Sequence, residues 1–329
     1  MQVFTLSKRD IEQLIDYDEI IDAVEQSFAD YSSGKAVIPP VTNLDIVNAN
    51  GEVHIKSGHI NACDNYCIKI ASGFYDNPKH GLPSGNGMMI LFDASTGELR
   101  GLLFDEGFLT DLRTAAAGAV AAKYLTKESV TAVGVLGTGI QARLQMMFLT
   151  HVRKFQILHV WGRRLEAVSR YQQDMCSRLS GIDVVACASP SEVAENAEIL
   201  VTATPTRTPL IWKSDLHPGL HITALGSDGP DKQEIGADAF TVFDKVIVDH
   251  LDQCSRLGEL HHALDKGMIT AEKVYAEIGD IVLGSKAGRE SESEITLSDL
   301  TGVAVQDIAI ANWAMRKAKE NNLGKFVEF

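Results

Sequence analysis

The feature that most constrains the fold is a glycine-rich turn between an apolar run and an amphipathic segment. The run 132–136 has the length and valine content of a buried parallel strand. Gly137, Gly139 and Ala142 follow it as G-x-G-x-x-A, and apolar residues recur at helical spacing from residue 144. A strand, this turn and a helix in that order predict one unit of a nucleotide-binding sheet.

Each small residue of the turn has a physical reason. Gly137 permits the tight turn, Gly139 lets a pyrophosphate approach the backbone, and Ala142 lets helix and strand pack closely. The helix N-terminus supplies amide donors and the positive end of the dipole. The turn therefore predicts a dinucleotide site rather than a purely structural turn. The site residues predicted here are Gly137, Thr138, Gly139, Ile140, Gln141 and Ala142.

The middle of the chain alternates between strand and helix patterns, which is the rhythm of a doubly wound parallel sheet. Its predicted strands are 131–136, 156–161, 183–187, 198–203, 221–226 and 246–249. The predicted fold class is therefore α/β, a Rossmann-type doubly wound parallel sheet joined to an α+β domain.

The flanking regions have different patterns. Residues 1–35 are predicted to be helical, and 41–103 to form strands of an antiparallel sheet. Thr110 is predicted to cap an alanine-rich helix over 112–125, and a last helix covers 303–321.

Composition limits the partners. The chain has 329 residues, which is enough for two domains, and a formal net charge of −14. Such a surface repels nucleic acids and anionic lipids, so neither partner is expected. With no apolar run long enough to span a bilayer and no signal peptide pattern, the expected location is the cytoplasm. The five cysteines have no paired metal spacing, so we expect buried reduced thiols and no metal site.

Two arginines, Arg163 and Arg164, follow the second predicted strand of the nucleotide unit. Sites that prefer NAD usually place Asp or Glu here to bind the ribose 2′-hydroxyl, whereas arginines suit a 2′-phosphate. The alternative is a solvated pair that opens the next helix. We favour NADP(H) and regard NAD(H) as possible.

Three cations in otherwise apolar segments are candidate ligands for a substrate carboxylate. Arg113 lies near the start of the helix predicted at 112–125, where it either binds an anion or pairs with Asp111 or Asp105. Lys69 alternates with two isoleucines in a predicted strand, so it is a carboxylate ligand or proton donor if its face meets a cleft, and an ordinary surface residue otherwise. Lys56, on another strand, has the same two interpretations.

Asp228 follows the strand predicted at 221–226, in the run Gly-Ser-Asp-Gly-Pro. Residues at the carboxyl end of such a strand face the ligand crevice, where a carboxylate can exchange protons or hold a substrate ammonium. The same run is also a common turn sequence.

Together these residues make the chain resemble the ornithine cyclodeaminase/mu-crystallin family over nearly its full length. The matching stretches are 68–70, 81–84, 109–116, 137–142, 224–229 with 232–234, and 302–307, of which the run Leu-Thr-Asp-Leu-Arg-Thr-Ala-Ala at 109–116 is the most specific.

The resemblance implies a homodimer that binds a small amino or imino acid. It implies a substrate-binding and dimerisation domain at 1–114 with 305–329, and a Rossmann dinucleotide-binding domain at 115–304. It assigns Lys69 and Arg113 to the substrate α-carboxylate and makes Asp228 the catalytic acid. Positions implied to lie near the cofactor are Ser84, Thr114, Thr204 and Val303.

Two departures from the family pattern bear on the substrate. The segment after Pro40 lacks the arginine that many members carry, and Lys56 stands where the ornithine enzyme has a Glu for the distal amine. A lysine there should repel a diamine and favour a second acidic group, or it replaces the missing arginine. Both departures argue against ornithine as the substrate. The segment 73–78 looks most like members found beside ectoine-degradation genes.

The function implied is hydride transfer between a nicotinamide and the α-carbon of an amino acid or imino acid, as an imine reductase or amino-acid dehydrogenase. A cyclodeaminase that eliminates ammonia is the first alternative. A protein that only binds NADPH or a small ligand is the second.

Overall fold

The computed structural model describes residues 2–328. Its strands, in chain order, are β1 (Gln2–Ser7), β2 (Ala36–Val37), β3 (Thr42–Ile46), β4 (Gly51–Ile60), β5 (Asn65–Phe74), β6 (Gly85–Asp93), β7 (Leu99–Phe104), β8 (Ala132–Leu136), β9 (Ile157–Trp161), β10 (Asp183–Ala186), β11 (Ile199–Thr202), β12 (His221–Ala224), β13 (Lys245–Val248), β14 (Ala276–Glu277), β15 (Thr296–Asp299) and β16 (Lys325–Glu328).

The α-helices are α1 (Lys8–Glu12), α2 (Tyr17–Ser32), α3 (Phe108–Leu125), α4 (Ile140–Val152), α5 (Leu165–Arg178), α6 (Pro190–Glu195), α7 (Leu251–Leu257), α8 (Glu259–Asp265), α9 (Ile278–Val282) and α10 (Ala304–Glu320). Short 3₁₀ turns cover Val47–Ala49, Asn77–His80, Lys213–Asp215, Ala237–Thr241 and Ala271–Lys273.

The chain divides into two compact units. Unit 1 takes in the chain up to Arg113 together with the part from Val303 onward, and unit 2 is Thr114–Gly302. The limits expected from the sequence were 114/115 and 304/305. Helix α3 therefore contributes its residues 108–113 to unit 1 and 114–125 to unit 2.

Unit 2 contains a parallel sheet with the order β10-β9-β8-β11-β12-β15-β13-β14. Every neighbouring pair in it is parallel. The first five strands have the order of a doubly wound nucleotide-binding fold, with the reversal between β8 and β11. The predicted fold class is confirmed, and the carboxyl ends of β8 and β11 mark where this fold binds ligands.

The core of unit 2 explains why its strands are apolar. Leu136, Leu200, Ile222, Val248 and Leu297 come from five strands and belong to one buried cluster. Strand β15 was missed in the sequence because Thr296–Asp299 is short and mostly polar, although all four residues are buried. Its position in the sheet is set by pairing with β12 and β13 and not by a local apolar pattern.

Unit 1 contains a sheet with the order β16-β1-β7-β6-β5-β4-β2, and β3 also pairs with β4. All of its pairs are antiparallel except β1 with β7. Helix α10 contacts β4, β5 and β6 as well as α2. The long strands β4 and β5, with α10 against them, position the charged residues described below.

Two predictions for the flanking regions were wrong. Residues 2–7 form β1 and not a helix, because this segment pairs with both β7 and β16. Thr110 lies inside α3 and does not cap it, since the helix already begins at Phe108. Glu106 and Gly107 both have positive φ, so the chain turns there, and the Asp105 carboxylate accepts the N–H of Leu109 at 2.9 Å.

The five cysteines are free thiols. Cys67, Cys187 and Cys254 are buried as expected, but Cys63 is half-buried and Cys176 is exposed. Among residues 2–328, no helix is long and apolar enough to cross a membrane.

Candidate active site

Unit 1 gathers two buried cations around one carboxylate. Lys69 Nζ lies 2.9 Å from Asp307 Oδ2, and Arg113 Nε lies 2.9 Å from Asp307 Oδ1. Arg113 Nη1 also donates a hydrogen bond to Gln306 Oε1 at 2.9 Å. The exposed fractions of Lys69, Arg113 and Asp307 are only 2%, 6% and 1%. The structure thus brings together two of the predicted substrate-binding residues, and it adds a shared partner.

Strand geometry explains how a lysine becomes buried here. Lys69 alternates with Ile68 and Ile70 along β5, so it faces the other side of the sheet from them. Those two isoleucines are only half-buried, whereas Lys69 is fully buried. Helix α10, which contacts β5, provides Asp307 in its first turn. The face of Lys69 is therefore an interior face with an acidic partner and not a solvent face.

Lys56 lies directly opposite Lys69 in the β4–β5 pair. Residues opposite each other in an antiparallel pair share a face of the sheet, with Cβ atoms about 5 Å apart. The positive charge of Lys56 acts on Lys69 and on Asp307. All three predicted substrate-binding cations therefore belong to one electrostatic group, which we call the cation cluster: Lys56, Lys69 and Arg113.

Burial and charge shift the ionisation of this cluster. Burial lowers the pKa of Lys69 to about 7, and repulsion from Arg113 and Lys56 adds to this, while Asp307 opposes it. For Asp307, burial alone would raise the pKa, but Lys69, Arg113 and Lys56 hold the pKa below its usual value. Asp307 is therefore ionised at neutral pH, and Lys69 is close to its titration point.

The alternative interpretation of Arg113, a structural salt bridge, is correct in kind but predicted the wrong carboxylate partners. The sequence suggested Asp111 or Asp105, but the ion pair of Arg113 is with Asp307. Arg113 is also further along the helix than expected, because α3 begins at Phe108. Its position is therefore explained by Asp307 and not by the dipole of its own helix.

Asp307 is the site residue to which sequence reasoning gave no role. It belongs to a matching stretch at 302–307, but only the family likeness drew attention to it. The available signal was the polar pair Gln306–Asp307 at the start of a helix whose neighbouring residues are apolar. Both side chains are buried, and a buried acid in such a place predicts a cationic partner.

The glycine-rich turn of unit 2 has the geometry of a phosphate-binding turn. Gly137 has φ +123°, and a Cβ at this residue would lie 2.7 Å from the carbonyl oxygen of Ala203. No other residue type fits where the chain leaving β11 passes so close. Ala142 is fully buried in the first turn of α4, and the Tyr171 hydroxyl donates to its carbonyl at 2.8 Å.

The same turn fits a dinucleotide phosphate. Gly139 is the N-cap of α4 and gives the helix no side-chain cap. A Cβ added at Gly139 would meet nothing within 4 Å, so the space beside these amides is open. The first turn of α4 contains no acidic residue, and Ile140 is 51% exposed. An anion is the natural partner of such a helix end.

The other residues of the turn support its shape. Arg143 donates from Nη1 to the carbonyl of Thr138, and its Nε lies 2.6 Å from Asp174 Oδ2. Gln141 Oε1 accepts a long hydrogen bond of 3.5 Å from Gln145. The side chain of Arg143 therefore holds the backbone of the turn from the side of α5.

Arg163 and Arg164 lie at the end of β9, and both are exposed. Arg164 is the N-cap of α5 without a side-chain cap bond. In this fold the end of the second strand is where the adenosine ribose binds. The arginine pair follows that strand end, and its role toward the cofactor stays a prediction.

Four positions were implied to lie near the cofactor, and the structure divides them between the two units. Thr114 and Thr204 belong to unit 2, where Thr204 follows β11. Ser84 and Val303 belong to unit 1, with Ser84 exposed and Val303 only 1% exposed.

Asp228 lies in the loop after β12 and is exposed. Its Oδ1 lies 2.5 Å from the ammonium of Lys232. Ser227, beside it, is buried and donates a hydrogen bond of 2.5 Å to the carbonyl of Lys232. The loop thus closes on itself and presents a carboxylate at the edge of the sheet where ligands bind.

No group of three or more His, Cys, Asp or Glu residues that could hold a metal ion is found in the part of the chain described here.

A parallel sheet of this strand order, with a glycine-rich turn at the start of α4, defines the class of dinucleotide-binding α/β proteins. The chain belongs to the ornithine cyclodeaminase/mu-crystallin family, whose model matches residues 1–322.

Individual relatives cover the whole chain. A Sinorhizobium fredii protein named as an uncharacterized cyclodeaminase is 40% identical over 98% of both chains. The structure of Thermococcus litoralis Δ1-pyrroline-2-carboxylate reductase with NADH and L-proline is 31% identical, with a TM-score of 0.94 over 99% of this chain and 100% of the other. An archaeal alanine dehydrogenase dimer with bound NAD is 34% identical, with a TM-score of 0.93 over 100% of both.

These relatives confirm the predicted family and its predicted class, oxidoreductases of amino and imino acids with cyclodeaminases among them. Both solved structures hold the cofactor without a 2′-phosphate.

Proposed function

We propose that the protein is an NAD(P)-dependent imine reductase or amino-acid dehydrogenase. The observation that carries the proposal is the buried convergence of Lys69 and Arg113 on Asp307, in a chain whose other unit has an open dinucleotide turn. An amino-acid or imino-acid carboxylate is the ligand that such cations suit best. The reduced dinucleotide, when bound, supplies a hydride.

The cation cluster binds the carboxylate of the substrate. Arg113 gives a planar set of donors whose direction is fixed by Asp307 and Gln306, and Lys69 gives a point charge beside it. A carboxylate bound by both has one orientation, which fixes the direction of the attached carbon–nitrogen bond. Because Lys69 is near its titration point, it is also able to donate a proton.

Asp228 handles the proton on nitrogen. Reduction of an imine adds a hydride to carbon and a proton to nitrogen, and the reverse reaction removes both. Asp228 is exposed at the carboxyl end of a strand, where ligands of this fold bind, and its Oδ1 lies 2.5 Å from the Lys232 ammonium. In the dehydrogenase direction the same carboxylate accepts a proton from the ammonium, or from the water that attacks the imine.

The finer assignments are part of the proposal. Arg163 and Arg164 favour NADP(H) through the 2′-phosphate, and Lys56 favours a substrate without a distal amine, or with a second acidic group. Unit 1 is the substrate-binding and dimerisation domain, and unit 2 is the dinucleotide-binding domain. The protein acts as a homodimer on a small amino or imino acid, as the archaeal relative is a dimer and the Thermococcus litoralis enzyme binds L-proline.

Cyclodeamination is the second candidate, because the 40% identical relative is named as a cyclodeaminase. It uses the same imine, but an internal amine attacks it, ammonia leaves and the hydride returns to the substrate. Lys56 argues against it for ornithine, because a cation beside Lys69 repels the distal ammonium.

A single set of mixtures separates the two reactions. The protein is incubated with NADPH or NADH and Δ1-pyrroline-2-carboxylate, and with NAD and ornithine. We expect oxidised cofactor to accumulate in the first mixtures. Release of ammonia from ornithine without net change in the cofactor would instead establish the cyclodeaminase. A panel of imino acids with and without a second carboxylate then tests the role of Lys56.

The role of Asp228 is tested by Asp228→Asn. The amide cannot exchange a proton, so we expect kcat to fall by about 10² to 10⁴-fold, the usual contribution of a general acid or base. Dinucleotide affinity, measured by fluorescence of NADPH, should change little. Asp231→Asn is the matched control, because Asp231 lies in the same loop and its ion pair with Arg207 is 3.9 Å long and exposed. Equal turnover in both variants would remove Asp228 from the mechanism.

A further inference from the structure

A single buried carboxylate in unit 2 joins two loops at the ligand edge of the sheet. Glu234 is completely buried. Its Oε1 accepts hydrogen bonds from the backbone N–H and the hydroxyl of Thr204, at 2.7 and 2.6 Å. Its Oε2 accepts the backbone N–H of Gly226 at 2.9 Å. The two oxygens of one side chain thus hold two different segments of the chain.

Those two segments follow neighbouring strands. Thr204 lies two residues after the end of β11, and Gly226 lies two residues after the end of β12 and two residues before Asp228. The carboxyl ends of adjacent parallel strands form the ligand crevice of this fold. Glu234 therefore connects a residue placed near the cofactor with the loop that carries the proposed proton donor.

Gly226 lies so close to Glu234 that no side chain fits at residue 226. A Cβ at Gly226 would lie 2.3 Å from Glu234 Oε2 and 2.3 Å from the carbonyl oxygen of Thr204. Glycine is thus required where the carboxylate and the two loops meet. This contact explains the glycine before Ser227 without any appeal to an unusual φ angle.

The backbone of Glu234 is itself fixed by hydrogen bonds. The backbone N–H groups of Glu234 and Ile235 donate to the two carboxylate oxygens of Glu259, at 2.7 and 3.1 Å. The carbonyl of Glu234 accepts from Leu210 and Ile211. The side chain therefore extends from a fixed backbone, which gives it the rigidity that a positioning group needs.

The ionised carboxylate of Glu234 matches the hydrogen-bond donors of Thr204 and Gly226. Burial raises the pKa of Glu234 to about 7, while the hydrogen bonds from Thr204 and Gly226 oppose this rise. Above that pH the carboxylate offers acceptors on both oxygens. An amide in the same place has one acceptor and one donor, so its NH₂ group would face a backbone N–H.

We propose that Glu234 is a positioning residue for catalysis, which fixes the Asp228 loop relative to the Thr204 loop at the ligand edge of unit 2. This inference rests on the proposed function, since it takes Asp228 as the group that handles the proton. Because Glu234 is completely buried and its carboxylate binds the two loops, its effect on catalysis is exerted through them.

The test compares Glu234→Gln with Glu198→Gln. Glu198 is a good control because its Oε2 also accepts two backbone N–H groups, those of Thr131 and Ala132 at 2.6 and 3.3 Å, but at the amino end of the same sheet. Both variants lose one bridging carboxylate, and only one of them affects the ligand edge. Turnover is measured at pH 8 with saturating NADPH, together with hydrogen exchange of the segments 203–206 and 225–229.

We expect Glu234→Gln to lower kcat at least tenfold and to leave the KM for the imino acid within threefold, because the carboxylate ligands lie in the other unit. Exchange should become faster in both segments. Glu198→Gln should keep kcat within twofold. If Glu234→Gln does not fold, Glu234→Asp replaces it, since a shorter carboxylate keeps the charge but cannot reach both loops.

The outcomes separate this inference from the proposed function. A parent protein that turns over none of the substrates disproves the proposed function, and the exchange measurement still decides whether Glu234 holds the two loops. Unchanged kcat in Glu234→Gln, equal losses of kcat in both variants, or unchanged exchange in the two segments would each overturn the positioning role.

Discussion

The two units differ in the partners that their buried charged residues have at the candidate site. Unit 1 buries two cations, Lys69 and Arg113, around the single carboxylate of Asp307. Among the described residues, unit 2 buries four carboxylates, those of Glu234, Asp249, Glu259 and Asp299. Their recorded hydrogen bonds come largely from backbone N–H groups: Thr204 and Gly226 to Glu234, Glu234 and Ile235 to Glu259, and Leu260 to Asp299.

The partners explain what each arrangement is suited to do. Backbone N–H groups are fixed by the fold, so a carboxylate that binds them ties segments of chain together. Side-chain cations that share one acid remain suited to a second anion, because the acid balances only part of their charge. We therefore expect the charges of unit 1 to act on the ligand and those of unit 2 to act on the shape of the site.

The largest effect should come from removing the acid of unit 1. Asp307→Asn leaves Lys69 and Arg113 buried without their carboxylate, and losing one partner of a buried ion pair costs about 3–5 kcal/mol. Asp299→Asn removes a carboxylate whose pKa burial raises to about 7, and it retains one acceptor for the N–H of Leu260. We expect a cost of about 1–3 kcal/mol there, that of a weakened buried hydrogen bond.

Unfolding in urea at pH 7 measures both free energies. The comparison is like with like, because the two aspartates are each 1% exposed and each substitution replaces one oxygen by NH₂. A larger loss for Asp299→Asn than for Asp307→Asn would show that the ion pairs of unit 1 contribute less than the backbone hydrogen bonds of unit 2.

The exposed cations of unit 2 should have a smaller effect, confined to one cofactor. Arg163→Ala with Arg164→Ala removes the charges proposed to bind the 2′-phosphate. We expect the Kd of NADPH to rise about tenfold or more, as for loss of a charge-assisted hydrogen bond, while the Kd of NADH changes less than threefold. Fluorescence titration of both cofactors measures this.

The salt dependence of NADPH affinity provides a control for the effect of Arg163 and Arg164. Because both arginines are exposed, the NADPH affinity of the parent should fall as salt rises, and the double variant should lose most of this dependence. An equal loss of affinity for NADPH and NADH would contradict the NADP preference. Arg163 and Arg164 would then be solvated residues at the start of α5 with no role in cofactor choice.

The sequence allowed more to be predicted for unit 2 than for unit 1. In unit 2 the signals were local: an apolar strand, a glycine turn with a stated reason for each residue, and an alternating rhythm. β15 was missed because its residues are polar and are buried only by their neighbours in the sheet. In unit 1, β1 was missed because its partners β7 and β16 are distant in the chain.

The cation cluster shows the same limit at the level of single residues. Lys69 and Arg113 could be selected as unusual cations in apolar segments, but their common partner is about two hundred residues further along the chain. No pattern within β5 or α3 points to Asp307. Only the family likeness and then the fold connect these residues. From the sequence alone, binding of a substrate carboxylate and a structural ion pair were therefore equally open for Arg113.

The last predicted effect is a pH dependence of carboxylate binding, which Lys69 of unit 1 should produce. Burial, with Arg113 and Lys56 nearby, lowers the pKa of Lys69 from 10.5 to about 7. Below that pH the side chain is an ammonium that attracts a carboxylate, and above it the side chain becomes a neutral amine. Affinity for a carboxylate ligand should therefore fall as pH rises from 7 to 9, by at most about tenfold per pH unit.

Binding of pyrrole-2-carboxylate, a planar acid that is not reduced, measures this without interference from proton transfer at Asp228. In Lys69→Arg the guanidinium keeps its charge over the whole range, so the fall above pH 7 should disappear even if the affinity itself is weaker. Asp228→Asn should retain the fall, because that residue belongs to the other unit. If Lys69→Arg shows the same decline as the parent, the titrating group is not Lys69, and the contrast drawn between the two units no longer holds for this residue.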